Sequence, residues 1–238
     1  MSYAAHNAEL SEWFRIGDEI KGNPFYFVKA PSSISSHEQP IYLPDITPLI
    51  RKNFAAPYGQ VTGEVELGIV IKDAMHCVSP DDVRKHILGY TVFNDITQRD
   101  LEIAGYPVCL TKGFHSFGPL GPYIIPTEEI ADPQALHFEL RVNDTVYQKG
   151  SLSEMLFSIE TLVSIASHIF ALEPGDVVTT GSPPGLFDYH LSPGDVIEAE
   201  IEQIGILRNS VAFARADTSL SLPDPQNLIS THSTKEKS

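Results

Sequence analysis

Residues 61–71 read V-T-G-E-V-E-L-G-I-V-I, and no other stretch limits the chain as strongly. The alternation is that of a strand: Val65, Leu67, Ile69 and Ile71 fall on one face, Glu64, Glu66, Gly68 and Val70 on the other. The two carboxylates stand roughly 6.5–7 Å apart along the strand. Side by side they repel, and burial would push one towards its neutral form. A cation between them removes the conflict, and hard oxygen ligands select Mg²⁺, Ca²⁺ or Mn²⁺. The competing reading is a solvated outer face of a surface strand. Gly68, next on the polar face, weighs against it by leaving room above the sheet for a ligand.

The rest of the composition fits a β-rich chain. Its 238 residues include 18 prolines and 16 glycines, enough punctuation for many short strands in one large domain or two small ones. A net charge of −15 argues against a nucleic-acid or anionic-membrane partner. It leaves room for a small anionic substrate, because a metal and a lysine or two invert the field locally. The two cysteines, Cys77 and Cys109, form neither a disulfide framework nor a zinc site. With no apolar run of membrane-span length and no leader pattern, the expected location is cytoplasmic.

Along the chain, residues 3–16 read as a short amphipathic helix that sets His6 and Glu9 on one face, either an acid/base pair or a surface pair. F-Y-F-V-K-A-P at 25–31 reads as a strand ended by proline, and residues 45–60 as loop or edge structure. Ser79, Pro80, Asp81 and Asp82 open a helix that Gly89 can end. Y-T-V-F-N-D at 90–95 is a strand delivering Asp95, with Arg99 just beyond. The Gly/Pro/aromatic run at 109–126 reads as a rigid, irregular loop presenting Lys112, a fixed cation for a carboxylate or oxyanion or else a surface lysine. His115 follows three residues later and defaults to a packed loop histidine. Asn143-Asp144 reads as a hairpin turn. Ser151 and Glu154 form a capping box for a helix over about 152–171. V-V-T-T ends in Gly181-Ser182, a turn that offers backbone N–H groups to an anion. From about residue 216 the composition is that of a polar tail.

Taken in order, H-x-x-E, E-x-E-L-G, N-D-x-T-x-R-D, T-K-G-F and E-P-G-D-V-V-T-T-G-S-P-x-G resemble the fumarylacetoacetate hydrolase family over residues 3–211. The resemblance implies an α+β, mainly β fold: a mixed β-sandwich roll with a few flanking helices. It divides the chain into a lid-helix region at 1–20, a catalytic domain at 21–215 and a tail at 216–238. It implies Mg²⁺, with Mn²⁺ or Ca²⁺ as alternatives, held by Glu64, Glu66 and Asp95. Lys112 would contact substrate and stabilise enolate charge, and His6 and Glu9 would be the acid/base pair. Arg99, as the family's structural or substrate-facing arginine, and Gly181 and Ser182 would bind substrate. Glu102 stands where the family often has glutamine, and Ser182 where it has threonine. The implied activity is metal-dependent C–C cleavage, by hydrolysis or decarboxylation, of a 2-oxo or acylpyruvate-type acid in a homodimer. Isomerisation or tautomerisation of a hydroxydienoate or 2-oxo acid in aromatic catabolism is the alternative. A non-catalytic binding protein on the same fold comes third.

Overall fold

A computed structural model describes residues 24–46, 49, 58–182 and 188–214, with the backbone of the strands Ser2–His6, Arg15–Ile16 and Glu19–Ile20. The fold is α+β and mainly β. Seven strands form one mixed sheet in the order Phe25–Lys29, Ser2–His6, Val177–Thr179, Val65–Ile71, Ile87–Asn94, Gly118–Pro126, Ile34–Ser36. Five form a second sheet in the order Thr145–Ser151, His137–Val142, Val196–Ile201, Gly205–Phe213, Ile41–Leu43. The apolar face of Val65–Ile71 packs in one core with Leu140, Ile197, Ala199 and Leu207 from the second sheet.

The edges of the large sheet decide its shape. Its two outermost strands, Phe25–Lys29 and Ile34–Ser36, are consecutive in the chain and joined only by Ala30 and the Pro31–Ser33 turn. That connection reaches at most about 17 Å. A flat sheet of seven strands is about 29 Å across. The sheet therefore curls until its edges approach, and the face carrying Glu66 becomes an interior. All seven residues of Val65–Ile71 are buried, so the solvated outer face does not occur.

Several local expectations give way to long-range pairing. Residues 2–6 form a strand in place of the start of a helix, antiparallel to Phe25–Lys29 and parallel to Val177–Thr179. Partners on both sides outweigh a weak local helix preference. Arg15–Ile16 likewise pairs with Glu19–Ile20. The helix after Ser79 is only Pro80–Val83, followed by a 3-10 turn, and Gly89 lies inside the next strand. A Cβ on Gly89 would stand 2.3 Å from the Ile125 carbonyl oxygen, so this glycine serves close strand approach and no helix end. The run expected as an irregular loop forms the helix Val108–Thr111 and the strand Gly118–Pro126, which bulges between Gly121 and Ile125. Ser151 caps a 3-10 turn, and the long helix starts later, at Ile159–Ile169, with Ser158 accepting from the Thr161 N–H. Asn143 and Asp144, with φ of 49° and 66°, make the expected hairpin turn. Gly205 starts a strand that returns antiparallel to Val196–Ile201 after a tight turn. Residues 7–14, which include Glu9, most of 47–57, and the tail from 215 lie outside the described residues.

Candidate active site

Glu66 projects from Val65–Ile71 into the interior of the curled sheet, and Glu64 immediately precedes that strand. Asp95 follows the neighbouring strand Ile87–Asn94, and its N–H donates to the Glu64 carbonyl at 2.8 Å. The Glu64 N–H donates in turn to the Asn94 side-chain oxygen at 3.0 Å. These two bonds lock the strand ends together, and one oxygen from each of Glu64, Glu66 and Asp95 lies within 4.8 Å of the others. All three side chains are sealed from solvent.

Among the described residues, all but one of the surrounding side-chain donors are cationic. Glu64 Oε1 accepts from Thr97 Oγ1 at 3.1 Å, Arg99 Nη2 at 2.5 Å and Lys112 Nζ at 2.9 Å. Lys112 also donates to Asp95 Oδ2 at 2.8 Å, and Lys29 to Asp95 Oδ1. Burial works against the Lys112 ammonium, but Asp95 and Glu64 overcome it and raise its pKa. Burial lowers that of Lys29, with Asp95 opposing the shift. Glu66 differs from its neighbours. Neither of its oxygens has a hydrogen-bond partner of ordinary geometry. Burial first, then the charges of Asp95 and Glu64, push its carboxyl well above the usual range, and the nearby Thr179 hydroxyl only slightly offsets the rise. Buried carboxylate oxygens without partners, grouped with two others, form a donor set that fits a hard divalent cation.

The other expected residues fall in different places. Arg99 is fully buried, donating to Thr62, Glu64 and Glu102, so it braces the carboxylates. Gly181 has φ +77°, and Ser182 is buried with Gln148 Nε2 donating to its hydroxyl at 3.0 Å. The backbone of His6 ends the first strand; its side chain and all of Glu9 lie outside the described residues. His115 is exposed and stacks on Tyr42, away from the carboxylates. The room expected above Gly68 is filled: a Cβ there would meet Thr91 Cγ2 at 2.8 Å and Val177 Cγ1 at 3.2 Å.

Sequence reasoning passed over two residues at this site. Lys29 shares a strand face with Phe25 and Phe27, and a lysine on an apolar face was the available signal. Gln148 ties the glutamate strand to the Ser182 turn, since its Oε1 accepts from the Val65 N–H at 3.1 Å while its Nε2 reaches Ser182. No local pattern marks it, because it comes from the other sheet.

Fold and cluster together define a β-roll protein with a preformed acidic centre braced by buried cations. The comparisons with known proteins supply the family: the fumarylacetoacetate (FAA) hydrolase C-terminal domain matches residues 1–212, and the chain belongs to that family. An uncharacterized protein of Pyrococcus abyssi is 39% identical over 214 residues, covering 88% of this chain and 86% of its own. The solved 5-carboxymethyl-2-hydroxymuconate delta-isomerase of Mycobacterium smegmatis superposes with a TM-score of 0.77 at 31% identity, covering 90% of this chain and 78% of that one. Maleylpyruvate hydrolase of Sphingobium sp. SYK-6, solved with manganese(II) and pyruvate, gives 0.73 at 27% identity, covering 90% and 70%. Relatives with named activities are hydrolases, isomerases and tautomerases, and this chain is an enzyme of the same family. The chain spans 62–66% of the curated hydrolase and tautomerase relatives cited for those activities. Among the described residues no helix is long and apolar enough to cross a membrane.

Proposed function

We propose that the chain cleaves a C–C bond of a 2-oxo or acylpyruvate-type acid, by hydrolysis or decarboxylation, with a divalent cation held by Glu64, Glu66 and Asp95. The observation that carries this reading is the sealed carboxylate cluster in which both Glu66 oxygens lack a partner. Three hard carboxylate ligands would suit Mg²⁺, and Mn²⁺ or Ca²⁺ could stand in for it. Such a cation supplies Lewis-acid polarisation of the substrate ketone. The protein's own groups do the rest. Arg99 and Thr97 hold Glu64 against rotation, since both bond its Oε1. Lys112, already anchored between Glu64 and Asp95, presents positive charge to the oxyanion that develops as the C–C bond breaks. The electron pair of that bond passes to the pyruvate-side fragment as an enolate, which is then protonated at carbon. His6 and Glu9 are assigned the proton transfers and the activation of water. Gly181 and Ser182 offer their turn to the substrate carboxylate.

Isomerisation is the second reading, supported by the likeness to the M. smegmatis isomerase. It needs the same cluster and Lys112 but no water. Incubation with oxaloacetate, acylpyruvates and 2-hydroxydienoates, with and without EDTA and followed by product NMR, tests both. The expected result is cleavage that EDTA abolishes and Mg²⁺ or Mn²⁺ restores. Turnover indifferent to the chelator overturns the metal assignment, and double-bond migration without cleavage selects the isomerase.

A further inference from the structure

Lys29 is a fully buried lysine that the proposed chemistry does not use. Its ammonium lies against Asp95 Oδ1 and 3.4 Å from the Ile96 carbonyl, while Lys112 takes Asp95 Oδ2. Its presence there follows from the closure of the sheet, since it ends one edge strand just before the turn into the other.

Lys29 completes a charge balance. Within the sealed centre, among the described residues, Glu64, Glu66 and Asp95 are matched by Lys29, Arg99 and Lys112. Glu102 also pairs with Arg99, but at 27% exposure it is screened by water. With the three carboxylates ionised, as a cation requires, and Glu102 left aside at the rim, these described charges sum to zero before the ion's own charge is added. A divalent cation alone leaves two uncompensated positive charges in a low-dielectric interior, a costly state. A chelating acid that carries two negative charges restores neutrality. The same surplus favours a reacting 2-oxo monoacid as it goes from one negative charge to two on becoming its enolate.

We propose that Lys29 is a resident counter-cation that makes ion and acid binding interdependent: it weakens the hold on the divalent cation by itself and reserves tight binding for the pair. This rests on reading the carboxylates as the metal site. The role assigned to Lys29 works through its charge on Asp95, which makes it a positioning residue, and its signature is metal affinity in the absence of substrate.

The test is titration with Mn²⁺, read by the EPR signal of the free ion, with oxalate as the dianionic probe and free Mn²⁺ corrected for its complex with oxalate. In the wild type, saturating oxalate is expected to tighten Mn²⁺ by at least about tenfold, with the reciprocal effect of Mn²⁺ on oxalate. Lys29→Met is expected to tighten Mn²⁺ alone by about tenfold and to shrink the oxalate effect. Lys29→Gln retains a donor for Asp95 without the charge and should do the same, which separates charge from orientation and serves if the methionine variant fails to fold. Lys29→Arg should behave as wild type. Weaker or unchanged Mn²⁺ binding in the neutral variants overturns the role of Lys29 and leaves the metal site standing. Absence of Mn²⁺ binding in the wild type even with oxalate overturns both.

Discussion

Glu64 takes three donors on one oxygen, whereas Glu66 has none on either, and the two carboxylates are expected to respond differently to mutation. Glu66→Gln removes a like charge that its surroundings disfavour. Without metal it should stabilise the fold by about 1 kcal/mol in urea denaturation with EDTA, while Mn²⁺ binding is lost. A destabilised variant that still binds Mn²⁺ would remove Glu66 from the ligand set. Lys112→Met takes away the cation nearest the expected oxyanion and should lower kcat by roughly 10²–10³-fold with a smaller change in KM. Steady-state kinetics against the best substrate of the panel checks it; a change confined to KM would make Lys112 a binding residue only. Gln148→Ala deletes the bonds to the Val65 N–H and Ser182 and should cost about 1–3 kcal/mol, read as a lower urea midpoint.

At the scale of elements, the strands that carry the site are held by tight backbone approach as much as by apolar burial. Gly89 faces the Ile125 carbonyl across Ile87–Asn94 and Gly118–Pro126, with no space for even a methyl group. Gly89→Ala should therefore destabilise by about 1–3 kcal/mol or more in chemical denaturation. It should also weaken Mn²⁺ binding, since Asp95 follows the same strand. Unchanged stability would show that the two strands can separate freely there. The helix Ile159–Ile169 packs on the outside of the roll, capped by Ser158. Losing that cap in Ser158→Ala should cost about 1 kcal/mol and leave metal affinity alone. The pair of variants separates elements that build the site from those that only cover the core.

At the scale of the whole molecule, the curl of the seven-stranded sheet organises everything else. It puts Val65–Ile71 and Ile87–Asn94 at the centre, buried on both faces except at Leu88, and brings the edge strands round to close the interior. Hydrogen exchange should find the slowest amides in those two central strands and faster exchange in Ile34–Ser36 at the edge. The reverse order would contradict the arrangement. The sequence alone was enough for the alternating glutamate strand, the Asp95 strand, the Asn143-Asp144 turn and the family. Each is written in local period, turn chemistry or motif order. Closure of the sheet was not legible, because it depends on which distant strands pair. Ser2–His6 became a strand for that reason, Gly89 a contact point, and Gly68 a packing glycine. Lys29 and Gln148 entered the site the same way. Two carboxylates on one strand face follow from a period of two residues. Whether they meet water or an enclosed set of cations depends on contacts between residues far apart in the chain, and only the folded molecule decides those.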